Sequence, residues 1–221
     1  MGMMINRRRV MGGGEKGFLA GAIDMGLPSG TLWAQGNICK DAQGNYSIGV
    51  PSDYGCFFSW GNIDGYYWNS NSDKEDYNFN SYNYNLTPGS QLTASIANND
   101  AEHDAAVARL GNGWHMPTQD NFQELFSSVN CSWSKAIING INVLHVVSKR
   151  NGNELFFPYT GLRINSYIHY RENYGDYVSS TLYSATQAHD TSFNSEGYVT
   201  VLWRNPRYYG FPIRPVYTPN N

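Results

Sequence analysis

The stretch YVTVLWRNPR, residues 198–207, holds the residue types best suited to chemistry in this chain, and that chemistry is binding. Tyr198, Leu202, Trp203 and Arg204 are large and chemically unlike one another, whereas the chain otherwise favours small polar residues. Tyrosine, tryptophan and arginine supply much of the binding energy at protein interfaces. The segment therefore predicts a ligand-contacting strand near the end of the chain.

Strand geometry predicts which side chains of this segment reach solvent. Alternate side chains of a strand point to one side, so Tyr198, Leu202 and Arg204 are expected on the outer face. Val199 and Val201 are then expected to point into the core. Trp203, between Leu202 and Arg204, reaches the outer face only where a β-bulge or the strand end turns it outward.

Cysteine chemistry is not indicated by the sequence. The cysteines are odd in number and widely spaced, without a CxxC pair, and they are Cys39, Cys56 and Cys131. Such spacing indicates neither a disulfide framework nor a zinc site. We expect free thiols that are buried or half-buried.

Histidine and nucleophile patterns give no sign of catalysis. The five histidines show no HxxxH or HxE spacing; they are His103, His115, His145, His169 and His189. The chain has no GxSxG elbow, and the SST triplet at residues 179–181 has no adjacent base. We therefore predict a protein that is not an enzyme and that uses no cofactor or metal.

Composition narrows the choice of partners. The net charge is −3, 15% of residues are charged, and the basic residues are scattered apart from residues 7–9, so nucleic acid is not an expected partner. The 17 tyrosines are interleaved with asparagine, serine and glycine, a mixture typical of binding loops. No segment approaches the length of a membrane span, and MGGGEKG after NRRRV interrupts any signal-peptide core. Neither membrane insertion nor a secretion signal is predicted.

Short apolar runs and two capped amphipathic segments must position the binding residues. One helix is expected over residues 100–110, with Asp100 as its N-cap and Gly111 just past its end. The second is expected over residues 118–129, with Thr118 as its N-cap.

The remaining apolar runs predict strands. Antiparallel strands are expected for INVLHVVSK, RNGNELFFPYTGLRI and DYVSSTLYS, a hairpin turn for NGN and a buried strand for CFFSW. The fold class is therefore α+β.

The domain organisation predicted from these patterns is simple. Residues 1–22 are expected to form a flexible tail, and residues 23–221 a single ligand-binding domain. Residues 62–92 are polar and aromatic without a period, which predicts a long surface excursion, with disorder as the alternative.

Six motifs of this domain occur in an order that resembles a known family. They are MGLPSGTLWA (residues 25–34), DYGCFFSWG (53–61), DAAVARLGNGWHMPT (104–118), LFFPYTGLR (155–163), YVSSTL (177–182) and YGFPIRPV (209–216). Together they are similar to the Fibrobacter succinogenes major paralogous domain. The resemblance implies a C-type-lectin-like fold akin to that of formylglycine-generating enzymes, with two helices among many short antiparallel strands. Asn62 and Val178 depart from the family pattern, which commonly has glutamate and tryptophan there.

The resemblance also bears on chemistry and on structural residues. Formylglycine-generating relatives bind copper through cysteines late in the chain, and here no cysteine follows Cys131. Calcium-dependent lectins resemble one another in EPN or QPD and WND motifs, none of which occurs here. Trp114, His115 and Arg214 are expected to be structural, the arginine bonded to backbone carbonyls or to a buried carboxylate.

Proteins diversified by retroelements resemble this chain in a second way. They place a variable stretch on the last strands of a C-type-lectin-like fold and end in a fixed motif similar to GFPIRPV. Their variation arises at template adenines, so many residue types are reachable from asparagine codons. The reachable candidates here are Tyr183, Ser184, His189, Asp190, Ser192, Asn194, Tyr198, Leu202, Arg204 and Pro206. Gln187, Glu196 and Trp203 are not reachable and would be scaffold.

The expected ligand site combines part of this variable set with the fixed tryptophan. One exposed face is predicted to carry Tyr183, His189, Asp190, Tyr198, Leu202, Trp203 and Arg204. The resemblance implies a hypervariable receptor-binding protein on a phage particle or a cell surface, whose ligand is a host or cell-surface protein or glycan. The alternative is a fixed structural or adhesion module of a bacterial surface protein with no dedicated ligand site.

Overall fold

The structure is a computed structural model that describes residues 19–66, 88–165 and 167–218. Within these ranges the chain is mostly antiparallel strands arranged in small sheets, with two α-helices and a short 3-10 helix at Pro88–Gln91. This is the α+β class that the sequence predicts. The helices are α1 (Ala105–Leu110) and α2 (Gln119–Leu125).

The strands of the described residues are short, and the last one lies inside a sheet. They are β1 (Ala22–Asp24), β2 (Leu32–Ala34), β3 (Ile38–Lys40), β4 (Tyr46–Ile48), β5 (Trp114–His115), β6 (Cys131–Ile138), β7 (Ile141–Ser148), β8 (Glu154–Pro158), β9 (Leu162–Ile164), β10 (Tyr167–His169), β11 (Tyr174–Leu182), β12 (Gln187–Asn194), β13 (Val199–Pro206) and β14 (Val216–Tyr217). The four-stranded sheet has the order β1-β2-β14-β5, so the end of the chain pairs with strands from its beginning and middle. Two three-stranded sheets, β6-β7-β8 and β11-β12-β13, and two two-stranded sheets, β3-β4 and β9-β10, complete the set.

Helix α1 begins four residues later than predicted. Its N-cap is Asp104, whose Oδ1 accepts hydrogen bonds from the Ala106 and Val107 N–H groups at 2.8 and 3.1 Å. The predicted cap, Asp100, instead closes a separate turn by accepting from the N–H groups two and three residues ahead. The helix ends at Leu110, with Gly111 as its C-cap just past the end, as predicted.

Helix α2 starts where the sequence predicts and ends earlier. Thr118 and Asn121 form a reciprocal capping box at its start. The helix stops at Leu125 rather than continuing to residue 129, because Asn130 Nδ2 donates to the Glu124 carbonyl at 2.7 Å and turns the chain into β6. The predicted antiparallel strands after α2 are confirmed, and the turn at residues 151–153 joins β7 to β8.

Other predicted segments have mixed outcomes. The CFFSW segment is buried, but Phe57 and Phe58 form isolated bridges rather than a strand. Residues 1–18 of the expected tail and residues 67–87 of the expected excursion lie outside the described residues. At the domain boundary, Leu19 already packs against a buried cluster and Ala22 begins β1. All three cysteines are free and buried, as predicted.

Two apolar clusters hold the described elements together. One lies around Trp33, whose ring centroid is 5.2 Å from that of Phe122, and it includes side chains of α2, β7, β8, β11 and β12. The other lies around Trp60 and Trp114. Val178 is buried in this second cluster.

The closing segment YGFPIRPV connects these parts, and Arg214 has the structural role predicted for it. Its guanidinium is fully buried, donates to Asn37 and to three backbone carbonyls, and lies 4.4 Å from the Phe157 ring centroid. Trp114 and His115 are also buried, as expected of structural residues.

Candidate ligand-binding surface

The segment that carries the predicted site forms the hairpin β12–β13, and among the described strands β13 lies at one edge of its sheet. β12 pairs antiparallel with β11 on one side and β13 on the other. The turn between β12 and β13 is organised by Asn194, whose Oδ1 accepts from the Glu196 and Tyr198 N–H groups at 3.0 and 3.1 Å. Gly197 adopts a φ of 86° in this turn, a conformation that glycine adopts without strain.

A buried aromatic base supports the hairpin. The ring of Phe193 on β12 stacks on that of Tyr177 on β11, with centroids 5.6 Å apart, and also contacts Phe157 and Tyr159. Val199 and Val201 of β13 pack against the same cluster, as the alternation of the strand predicts. Because interiors are closely packed, this base fixes the backbone that carries the outer side chains.

A β-bulge in β13 changes the alternation after Val201. Asp190 is opposite Trp203 and Ser192 is opposite Thr200, so Val201 and Leu202 together face the single residue between them on β12. Leu202 and Trp203 are 56% and 52% exposed and Arg204 is also exposed, which places three outward residues in succession. Tyr198, at the start of the strand, is 69% exposed. Trp203 therefore reaches solvent at a bulge, one of the two ways predicted from the strand alternation.

Three predicted residues meet at the far end of the hairpin. His189 and Arg204 are directly opposite each other on β12 and β13. The Tyr183 ring, 46% exposed as a residue, meets the His189 ring edge-on with centroids 5.1 Å apart. The guanidinium carbon of Arg204 lies 4.7 Å from the Tyr183 ring centroid. The structure thus brings Tyr183, His189 and Arg204 together.

Asp190 is not on the exposed face, which corrects the prediction. It is fully buried, and its Oδ2 accepts a hydrogen bond from Asn205 Nδ2 at 3.1 Å. Burial, together with the nearby carboxylate of Asp176, raises the pKa of Asp190 well above its usual range. The reason is the register: Asp190 follows His189, so its side chain points to the opposite side of the sheet.

The remaining exposed residues divide between the two sides of the hairpin. Directly opposite residues of an antiparallel pair share one side of the sheet, so Arg204 lies on the side of His189 and Trp203 on the side of Asp190. The residues expected on a single face, apart from the buried Asp190, therefore flank the edge strand from both sides. A ligand that contacts all of the exposed members must reach across β13.

Four further members of the predicted variable set are half-buried; they are Ser184, Ser192, Asn194 and Pro206. The hydroxyl of Ser184 accepts from the Gln187 N–H at 3.2 Å, and its carbonyl accepts from Arg207 at 2.7 Å. These contacts give Ser184 a role in shaping the turn before β12.

Arg207 is a structural residue that sequence reasoning did not identify. It is buried and donates to the carbonyls of Gly89, Leu92 and Ser184, with its guanidinium carbon 4.7 Å from the Trp60 ring centroid. Arg207 therefore connects the end of β13 to residues 89–92 and to the turn before β12. The sequence feature that could have identified Arg207 as structural is its position directly before the closing motif YYGFPIRPV.

Metal-ligating groups are not clustered in the described ranges, where no three or more His, Cys, Asp or Glu residues lie close enough to hold an ion. Among the described residues, no helix has both the length and the apolar character needed to cross a membrane.

Comparison of the chain with protein-family models, with curated proteins and with solved structures finds no match.

Proposed function

We propose that this chain is a ligand-binding protein, without enzymatic activity, whose contact surface is the exposed part of the β12–β13 hairpin and the adjoining Tyr183. The observation that carries the proposal is the succession of exposed Leu202, Trp203 and Arg204 at the bulge of an edge strand. Exposure of large apolar and aromatic side chains to water is unfavourable. A partner that covers these side chains removes that surface from water, which favours binding.

The support beneath this surface suits binding. The backbone of the hairpin rests on the Phe193 and Tyr177 base, and Arg207 fixes the end of β13. A rigid base lowers the entropy lost when a ligand binds, which increases affinity. The exposed residue types are those that dominate interface energies.

The same division between base and surface would permit sequence variation, and we include diversification by a retroelement on a C-type-lectin-like scaffold in the proposal. Tyr183, Tyr198, Leu202 and Arg204 are exposed, so substitutions there leave the core intact. Asp190 is buried against Asn205 and would belong to the constant part. The ligand would be a host or cell-surface protein or glycan, met from a virion or from a bacterial surface.

Binding of the fluorescently labelled protein to intact cells of a panel of bacterial strains tests the binding function. We expect at least one strain to bind the wild type and to lose binding when Tyr198, Leu202 and Trp203 are replaced together by alanine. The matched control replaces Val129, Ile137 and Tyr167, which are 81%, 68% and 63% exposed elsewhere on the surface.

Equal binding by both triple variants would place the contact surface elsewhere, and binding to no strain would count against the function. Binding to no strain would favour the fixed structural or adhesion module.

Sequencing of the DNA around the gene tests diversification separately. We expect a near-copy of the region encoding residues 177–216, with adenines at the variant codons, beside a gene for a reverse transcriptase. A locus with neither would leave a fixed binding surface.

A further inference from the structure

The guanidinium of Arg204 stacks on an aromatic ring. Its carbon lies 4.7 Å from the Tyr183 ring centroid, and the same ring is braced by His189. Among the residues that the structure describes, the Arg204 side chain forms no ion pair and no hydrogen bond. Its positive charge and its N–H donors are therefore available on the surface.

The hairpin itself offers no carboxylate to neutralise this charge. Its two acidic residues are Asp190, buried against Asn205 on the other side of the sheet, and Glu196, in the turn beyond Asn194. Asn194 lies five steps along the extended strand from His189, a distance of about 17 Å. An exposed charge at that distance is largely screened at physiological salt.

Stacking on Tyr183 prepares Arg204 for a planar anion. Cation–π contact restrains the guanidinium, so less conformational entropy is lost when it forms hydrogen bonds to a ligand. A guanidinium stacked by its face keeps its N–H edges free, and two parallel N–H groups match the two oxygens of a carboxylate.

We propose that Arg204, positioned by Tyr183, binds a carboxylate of the ligand, and that this ligand is an acidic segment of a partner protein. The inference rests on the proposed function and specifies the partner of the same surface. A protein partner is favoured because Leu202, an aliphatic side chain that is 56% exposed, lies two residues before Arg204 on the same strand. An acidic peptide segment that also carries apolar side chains would complement both the Arg204 guanidinium and the exposed Leu202.

The test uses a random-peptide display library selected on the full-length wild-type protein. We expect the selected peptides to be enriched in aspartate and glutamate relative to the unselected library. Replacing Arg204→Gln should raise the Kd of such a peptide by about 10- to 100-fold, the range expected for hydrogen bonds to a charged group. The control Arg150→Gln removes one exposed arginine from the β7–β8 loop and should leave the Kd unchanged.

Charge reversal separates recognition of a carboxylate from a structural role of Arg204. Arg204→Glu should abolish binding of the acidic peptide and restore it to a peptide in which the contacting glutamate is lysine. Tyr183→Leu removes the ring that supports Arg204 and should weaken acidic peptides more than their glutamine analogues.

The possible failures are distinguishable. Peptides without acidic enrichment, no selected peptides, or a Kd unaffected by Arg204→Gln would overturn the carboxylate site. Loss of cell binding in the triple variant of Tyr198, Leu202 and Trp203, with normal cell binding by Arg204→Gln, would keep the function and discard this inference.

Discussion

Arg214 donates its Nε–H to Asn37 Oδ1 at 2.8 Å, although 177 residues separate the two in the chain. The amide of Asn37 in turn donates to the Tyr54 carbonyl at 2.9 Å, and Arg214 Nη2 donates to the Phe156 carbonyl at 2.7 Å. One buried pair thus connects the first strands, the middle of the chain and the segment that follows β13. This arrangement explains why an exposed and chemically diverse strand is followed by a closing motif of fixed geometry.

Replacing Arg214→Lys should lower the free energy of unfolding by about 3–5 kcal/mol, because several buried acceptors lose a charged hydrogen-bond donor. Lysine cannot reach the four acceptors at once, because it lacks the planar fork of guanidinium. Urea denaturation followed by tryptophan fluorescence measures the change. The exposed substitution Arg150→Lys should change the free energy of unfolding by less than about 0.5 kcal/mol. A loss below about 1 kcal/mol for Arg214→Lys would contradict the role of Arg214.

Asp104 should be worth more to stability than Asp100. Its carboxylate accepts from three backbone N–H groups, those of Ala106, Val107 and Met116, the last at 2.8 Å from a residue outside the helix. Asp104→Ala leaves buried donors unpaired and should cost about 2–4 kcal/mol. Asp100→Ala removes a turn at a partly exposed position and should cost about 0.5 kcal/mol. Thermal denaturation of the two variants decides between them, and equal losses would show that Asp104 is not the dominant cap.

The two helix caps show how far the sequence determines local structure. The Thr118 cap is predicted correctly because its capping box lies within four consecutive residues. The choice between Asp100 and Asp104 depends on the Met116 N–H, which the fold brings to Asp104 from twelve residues away. A local pattern contains no information about that contact.

The binding hairpin shows the same limit. Alternation places Val199 and Val201 against the core correctly, because both residues are apolar and lie on one strand. The burial of Asp190 is missed because it depends on the register that places its side chain beside Asn205. Codon reachability likewise carries no information about which side of a sheet a residue occupies.

The free energy of unfolding should depend on pH through Asp176. Burial raises the pKa of this carboxyl from 3.8 to about 6. The native state therefore binds its proton more tightly than the unfolded state, and the resulting stability is full below about pH 4 and is lost as pH rises through 6. The shift corresponds to about 3 kcal/mol.

The variant Asp176→Asn isolates this effect, because its side chain stays uncharged. The free energy of unfolding of the variant minus that of the wild type should increase by about 3 kcal/mol between pH 4 and pH 7. Taking the difference cancels titrating groups that do not interact with Asp176, such as Asp104, whose pKa burial also raises to about 6. The nearby Asp190 carboxyl does interact with Asp176 and contributes to the difference. A difference that stays constant with pH would show that Asp176 is not desolvated in the folded protein.

Tolerance to substitution should follow the exposed and buried positions of the hairpin rather than codon reachability. A library that randomises Tyr198, Leu202 and Asp190 one at a time, displayed on yeast and scored by surface expression, measures this directly. Tyr198 and Leu202 are exposed, so nearly all substitutions should change the free energy of unfolding by less than about 0.5 kcal/mol.

At Asp190 a large side chain has no space and leaves the Asn205 amide unpaired, so tyrosine or arginine there should cost more than about 2 kcal/mol and reduce expression. Phe193→Ala, which removes the buried ring beneath the hairpin, serves as a reference for a loss of about 3–5 kcal/mol. If Asp190 accepts large residues as readily as Leu202 does, its side chain reaches solvent and belongs to the variable surface after all.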